Sequence, residues 1–512
     1  MLQTRSLFVS VISRFLVLTA WLSIVVPHAV HSQSRGSTDA RFDTVREVIR
    51  RVMQEKGIPS ITVAVAKDGT IVWEEGFGWA DRERMRPATP DTLYSLASVS
   101  KPFTATGLMR LVEQGKVDLD KPVNDYLGIG KLRGLAGDAS GATVRRLLSH
   151  TAGLPLHYQF FYENEAYRPP SMDETISRYG ILVAAPGEQY EYSNLGFGIL
   201  DQLIERVSQR DFADYMRTEV FLPLGLLHTS VNIGPGLESF VAQRYDSQQR
   251  PIPFYTFDHI GASAVYSSAH DLVRFGVFHL KGHLAGQRAI LKDATLDLMQ
   301  HEVTAVPPPA GAGYGLGWST NSNDHGYRSV SHGGGMPGVS TSLALFPSEN
   351  LAVAVLSNKS ESLREIKDAV AAAMLPKFAE ALRNESLEKP AEPKPFTVTP
   401  ELLGQWVGTV QTWQDRIPFS MTFQADGDIH VKLGDDLETL LNKVSFRDGY
   451  LSGRFAGSIP TPDASRYPHS LLIRLRLRGE ELSGQATAQT TSEPVHFALS
   501  AFAKLSRKTA DK

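Results

Sequence analysis

Between Asn384 and Pro400 the sequence changes its periodicity, and that change restricts the architectures open to the rest of the chain. Four prolines among Glu, Lys and Thr, with no apolar repeat, make residues 384–400 a linker. Beyond it apolar residues recur at every second position: Phe419, Met421 and Phe423; Ile429, Val431 and Leu433; Leu471, Ile473, Leu475 and Leu477, the last set interleaved with Arg474, Arg476 and Arg478. Period two puts alternate side chains on opposite faces of a strand, and Asp426-Gly427, Asp448-Gly449 and Gly479 supply the turns. Residues 401–506 are therefore expected to form a small antiparallel β-barrel or sandwich. Trp406, in the run Gly404-Gln405-Trp406-Val407-Gly408, reads as a packing residue at a strand start and not as a ligand contact.

Upstream, residues 38–383 mix strands and helices. Ile61–Ala66 and Ile71–Trp73 flank Lys67-Asp68-Gly69-Thr70, and Asp-Gly supplies the positive φ angles of a tight hairpin. Gly338–Phe346 and Leu351–Leu356, joined by Pro347-Ser348-Glu349-Asn350, predict a second hairpin. Helical periodicity dominates between them, as in Leu195–Val207 and His270–Leu280. Strands at both ends with helices between predict a mixed α/β (α+β) domain, its central antiparallel sheet closed by bringing the two ends together and flanked by helices.

The N-terminus carries Arg5 and Arg14, the apolar run Phe15–Val26, Pro27, and small residues at Val30 and Ser32. That order fits a secretory signal over residues 1–32, cleaved near Ser32, and a twelve-residue apolar run is short for a spanning helix. The protein is expected to be secreted or periplasmic, with no integral membrane segment after cleavage. A formal net charge of -3 offers no electrostatic footprint for nucleic acid, so small molecules or peptides are the expected partners. The absence of cysteine excludes disulfides, a thiol nucleophile and thiolate metal sites. Any nucleophile must be an oxygen or nitrogen group.

Three short motifs carry chemistry. In Ser98-Val99-Ser100-Lys101, residues three apart share one helix face, so hydroxyl and amine converge; Pro102 is tolerated only in a first turn, which puts Ser98 at a helix start. Tyr192-Ser193-Asn194 precedes the helix opened by Leu195, where Asn194 is either a functional amide or an N-cap. His332-Gly333-Gly334-Gly335 enters the last hairpin, where glycines let a substrate backbone approach and a free N–H point at an oxyanion. Each spacing recurs elsewhere, at Ser386–Lys389 in the linker, at Tyr162-Glu163-Asn164 and at His259-Ile260-Gly261, and these copies read as chance matches.

Taken in order, Ser98-x-x-Lys101, Tyr192-x-Asn194 and His332-x-Gly334 resemble the three boxes of the serine β-lactamase and penicillin-binding-protein superfamily. The stretches Leu147–Leu154, Tyr314–Trp318 and Phe346-Pro347 are similar to its branch of class C β-lactamases, D-alanyl-D-alanine carboxypeptidases and esterases, and the tail looks somewhat like a lipocalin-type domain. The resemblance implies an acyl-enzyme on Ser98, with Lys101 and Tyr192 sharing the role of base and the Lys101 ammonium stabilising a Tyr192 phenolate. The N–H groups of Ser98 and Gly335 would form the oxyanion hole, and Asn194 would hold Lys101 and the substrate amide. No metal or organic cofactor is needed. His150 is read as structural. Where class C β-lactamases usually carry Lys-Thr-Gly, this chain has His332-Gly333-Gly334, which weakens recognition of an anionic β-lactam and leans toward a peptidase or esterase. The alternative is a penicillin-binding or sensor protein of the same fold with little turnover.

Overall fold

Asp68 and Gly69 both take left-handed backbone, φ 51° and 72°, the requirement of a two-residue hairpin turn. Strand β1 (Ser60–Lys67) therefore folds back directly into β2 (Thr70–Asp81). The computed structural model describes residues 32–34, 39–305, 311–385 and 396–508. Late in the first region β3 (Ser319–Asp324), β4 (Tyr327–Met336), β5 (Val339–Phe346) and β6 (Leu351–Ser357) form a meander, and β6 pairs with β1 so that Val355 lies opposite Val63. The expected closure of the two ends is present. The sheet runs Ser32–Ser34, β2, β1, β6, β5, β4, β3, Ala312–Tyr314 and Thr304–Ala305, antiparallel at every pairing among the described residues.

Ser60–Ala66 and Leu351–Ser357 are buried without interruption, so both faces of the sheet's centre are covered. Helices α1 (Asp43–Lys56) and α5 (Arg364–Met374) pack on each other and on β1 and β6, and α4 (Ala269–His279) packs on β1, β5 and β6. Between the hairpins α2 (Ser100–Glu113) and α3 (Asn194–Ser208) pack together; they carry two of the three motifs.

In the tail, β7 (Gly404–Gln411), β8 (Arg416–Phe423), β9 (Ile429–Leu433), β10 (Asn442–Arg447), β11 (Tyr450–Phe455), β12 (His469–Arg478), β13 (Glu481–Thr490) and β14 (Phe497–Arg507) build a second antiparallel sheet. Its order is Thr439–Leu440, β9, β8, β7, β14, β13, β12, β11, β10. The two edges are consecutive in sequence, so the sheet curls into a nearly closed barrel. The period-two residues Phe419, Met421, Phe423, Ile429, Val431, Leu433, Leu471, Ile473 and Leu475 are all buried; Leu477, near the strand end, is half-buried. Trp406 is fully buried, its indole N–H donating to Leu402 O at 2.8 Å.

β14 does one thing more: Phe497 and Ala498 pair with Gln159 and Tyr158 of the strand Tyr158–Tyr162, joining the barrel sheet to the first region. The helix Pro376–Glu385 carries the chain two residues into the expected linker, whose next ten residues, with Ser386–Lys389, lie outside the described part. So does the proposed signal segment, apart from Ser32, which with Gln33 and Ser34 lies along β2. Among the described residues no helix is long and apolar enough to cross a membrane.

Candidate active site

Ser98 sits in a single 3₁₀ turn, Ala97–Val99, that runs straight into α2, with Pro102 in the first helical turn. Ala97 before it has a left-handed φ of 48°, which costs a non-glycine residue on the order of 1 kcal/mol. Strain of this kind persists where neighbours hold it, and here β4 is the neighbour. β3 pairs with β4 only as far as Ser319 opposite Ser331, so from His332 onward one edge of β4 is free of β3 and packs on the Ala97–Val99 turn. A Cβ on Gly334 would stand 2.2 Å from the Leu96 carbonyl oxygen. The backbone that needs a glycine at 334 is therefore the protein's own. Gly335 has nothing within 4 Å of where its Cβ would be, and it lines the same pocket as Ser98.

Lys101 lies one turn beyond Ser98. Its ammonium position is 3.1 Å from Ser98 Oγ, 2.8 Å from Asn194 Oδ1 and 3.2 Å from Ala262 O. The side chain is 0% exposed and none of these partners is a carboxylate, so burial pushes its pKa well below the usual lysine range. Lys101 Nζ is 4.8 Å from the centre of the Tyr192 ring. Burial raises the pKa of the Tyr192 hydroxyl, and a hydrogen bond with Ser98 pulls it back by less. Both directions favour an amine beside a phenol, in contrast to the ammonium and phenolate that the family resemblance suggests.

Asn194 is the first residue of α3, but the helix is capped by Ser193, whose hydroxyl accepts the Gly196 N–H at 3.2 Å. Asn194 keeps its own amide for the site: Oδ1 accepts from Lys101 and Nδ2 donates to His157 O at 3.0 Å. His150 Nδ1 accepts the Ser193 N–H at 3.2 Å and its ring centroid is 4.3 Å from that of Tyr192, so it braces the motif from behind. Burial first, then the nearby Lys101 and His332, push its pKa well down.

His332 is placed differently from the other motif residues. It is 3% exposed; Nδ1–H donates to Gly333 O at 2.8 Å, and Nε2 accepts the Tyr314 hydroxyl at 2.9 Å. Burial drives its pKa down to about 3, so it is neutral at physiological pH and its nitrogens are both used inside the protein. The chance-match Tyr162 bonds to Val495 O at 3.0 Å, and not to Lys101.

The match to known families follows this geometry. Residues 45–375 match the family described as Beta-lactamase. The chain belongs to the beta-lactamase family. It is 28% identical over 377 residues to penicillin-binding protein 4* of Bacillus subtilis (strain 168), covering 68% of this chain and 78% of that protein. It is 30% identical over 350 residues to the unguisins hydrolase ungD' of Aspergillus campestris (strain IBT 28561), covering 65% and 64%. Its fold is shared with the octameric penicillin-binding protein homologue of Pyrococcus abyssi (TM-score 0.58, 23% identity, 89% of this chain and 99% of that one). A beta-lactamase/D-alanine carboxypeptidase of Pseudomonas syringae aligns with a TM-score of 0.56 at 21% identity, over 67% and 99%.

This beta-lactamase-family chain also brings to the pocket residues that sequence reasoning missed. His259, set aside as a repeat of the third box, lines it beside Ser98 and Asn194. Its Nδ1–H donates to Asp258 Oδ1 at 2.7 Å, while Asp258 Oδ2 accepts from His157 Nε2 at 2.7 Å. Its Nε2 is left as the acceptor. The signal available in the sequence was the adjacent acid, Asp258-His259. Tyr158 and Phe160, from an aromatic run beginning at Tyr158, form another part of the wall. Glu493, Pro494 and Val495 of the barrel complete a cavity of about 380 Å³, and no local pattern marked them. Finally, Arg474 of β12 meets Glu191, next to Tyr192, and Arg476 and Arg478 meet Glu188. The polar face of the period-two strand thus holds the segment that carries the second motif.

Proposed function

We propose that the protein is an exported serine hydrolase that forms an acyl-enzyme on Ser98 and cleaves an amide or ester bond. The observation that carries this reading is the contact of 3.1 Å between Ser98 Oγ and a lysine amine sealed away from water with no counter-ion among its hydrogen-bond partners. An amine in that state gives up its proton at a lower pH than an ordinary lysine, which suits it to act as a base. Ser98 Oγ attacks the carbonyl carbon while its proton passes to Lys101 Nζ. The oxyanion is held by the N–H groups of Ser98 and Gly335, both of which line the pocket. Tyr192 donates its hydroxyl proton to the departing nitrogen or oxygen and is reprotonated from Lys101, and Asn194 fixes the lysine. Water then cleaves the Ser98 ester and restores the hydroxyl.

His332 supports a peptidase or esterase over a β-lactamase. Being neutral and hydrogen-bonded inward, it offers no charge to a substrate carboxylate. The proposed architecture is a hydrolase domain over residues 38–383 and a barrel over 401–506, behind a signal segment that ends near residue 32. The decisive test is labelling by a fluorophosphonate probe, which Ser98→Ala should abolish, combined with kcat/KM for D-alanyl peptides, a chromogenic cephalosporin and short-chain nitrophenyl esters. Unchanged labelling in Ser98→Ala overturns the reading. Stoichiometric labelling with negligible turnover of the whole panel would make the protein a penicillin-binding or sensor type instead.

A further inference from the structure

We propose that the pocket beside Ser98 selects substrates bearing a cationic amine, recognised by Glu493 of the barrel together with the aromatic wall of Tyr158 and Phe160. This inference rests on the hydrolase reading above and adds a substrate class to it.

The argument is a charge census of the pocket lining, which apart from its tyrosines holds four ionisable groups: Asp246, His259, Lys359 and Glu493. Asp246 is already matched by Arg250, whose Nε lies 2.7 Å from Oδ2 and whose backbone N–H also bonds to the carboxylate. Lys359 points its ammonium at Lys56 O, 2.6 Å away, with Glu361 at 3.5 Å. His259 is kept neutral: burial, the largest influence, together with the nearby His157 and Lys101, lowers its pKa overall despite Asp258. That leaves Glu493. The bond it receives is from a neutral group, the Ser247 hydroxyl at 2.8 Å, and among the described residues no cation forms an ion pair with it. The pocket therefore carries one uncompensated negative charge.

The aromatic part of the lining has matching chemistry. The rings of Tyr158 and Phe160 lie 5.4 Å apart and both line the cavity; the Tyr158 hydroxyl is fixed by Gln489 Nε2 at 2.9 Å. Aromatic faces beside a carboxylate attract an ammonium group and give nothing to an anion. The loop that presents Glu493 is anchored. Val495 O accepts the Tyr162 hydroxyl at 3.0 Å, His496 O accepts the Phe160 N–H at 2.7 Å, and Phe497 and Ala498 pair with Gln159 and Tyr158. The barrel thus holds an acid at a fixed place in the substrate's surroundings.

The test does not depend on knowing the substrate. Labelling of Ser98 by a fluorophosphonate should be slowed by n-butylammonium and not by n-butanol at equal concentration, and Glu493→Gln should remove that protection. Turnover then locates the cation. Alanine p-nitrophenyl ester against its N-acetyl form reads an amine on the acyl side, and acetylthiocholine against p-nitrophenyl acetate reads one on the leaving group. The cationic member should be preferred by about tenfold on one arm, falling as salt is raised. Glu493→Gln should cut that preference to about twofold or less, and Glu493→Lys should invert it, with Ser98 labelling intact in both. Equal protection by alcohol and ammonium, or a preference unchanged in Glu493→Gln, overturns the inference while normal labelling leaves the hydrolase reading standing. Failure of wild-type Ser98 to label overturns both.

Discussion

Two groups of cations in this molecule are treated in opposite ways. At α2, Lys101 is fully enclosed and its hydrogen-bond partners are neutral. At the seam with the barrel, Arg474, Arg476 and Arg478 are about one-third exposed and each meets a glutamate. A buried charge without a counter-ion is held at a cost in stability, and at a reaction centre that cost shifts the proton. A paired charge in partial contact with water costs little and changes little, and is useful for holding segments in place. On the proposed reading, the unpartnered amine of Lys101 marks chemistry and the paired charges of Arg474, Arg476 and Arg478 mark support.

The largest effects should come from the unpaired side. Lys101→Ala and Tyr192→Phe are each expected to lower kcat by about a hundredfold or more, the scale of losing positioned proton transfer. Combined, they should cost scarcely more than the worse of the two, because they act as one unit; multiplicative losses in single-turnover kinetics would break the comparison at its centre. A pH profile comes next. Lys101 acts as a base only when deprotonated and burial depresses its pKa, so kcat/KM should rise with pH at a point well below the ordinary lysine range. Tyr192 must keep its proton and burial raises its pKa, so activity should then stay flat into the alkaline range. A fall in activity near pH 10 would instead indicate an exposed tyrosine.

On the paired side the effects should be smaller. Arg474→Ala removes the partner of Glu191, a carboxylate whose pKa burial already raises, and so loosens the segment before Tyr192. We expect kcat to drop by about tenfold with KM nearly unchanged, in line with a small displacement of catalytic groups, and Arg474→Lys to restore most of it. Arg476→Ala should do less, because Arg478 still holds Glu188. The smallest effect has the opposite sign. Lys101→Met should raise the melting temperature, since a lysine whose folded pKa is depressed destabilises the fold whenever the unfolded chain binds the extra proton. That penalty shrinks as pH rises toward the unfolded lysine value, so the gain should be larger at pH 6 than at pH 9. Equal gains at both would show that Lys101 is charged in the folded protein.

What the sequence made legible followed from local rules. Asp68-Gly69 specified its hairpin, and alternation specified which residues of β8, β9 and β12 are buried, because turns and strand faces are decided within a few residues. Ser98 and Lys101 could be paired since helix geometry brings them together. Choices that depend on distant chain were not legible. The apolar helix after Tyr192-x-Asn194 separated it from Tyr162-x-Asn164, but what each would meet was not legible: the first reaches Lys101 through the packing of α3 on α2, and the second bonds to the barrel. Gly334 and Gly335 read alike until the free edge of β4 meets the Ala97 turn. His259 and His332 even exchange apparent roles, for burial turns His332 inward while Asp258 leaves His259 facing the cavity.

The pairing of Phe497 and Ala498 with Tyr158 and Gln159 has a consequence in time. During synthesis Ser98, Lys101, Tyr192, Asn194 and Gly335 all leave the ribosome before residue 493 has been made. Under the proposed reading, all the groups of the reactive centre thus precede the wall that carries Glu493, which comes just ahead of β14. Under that reading, the residues for reactivity are made before the residue for selectivity in every copy of the chain.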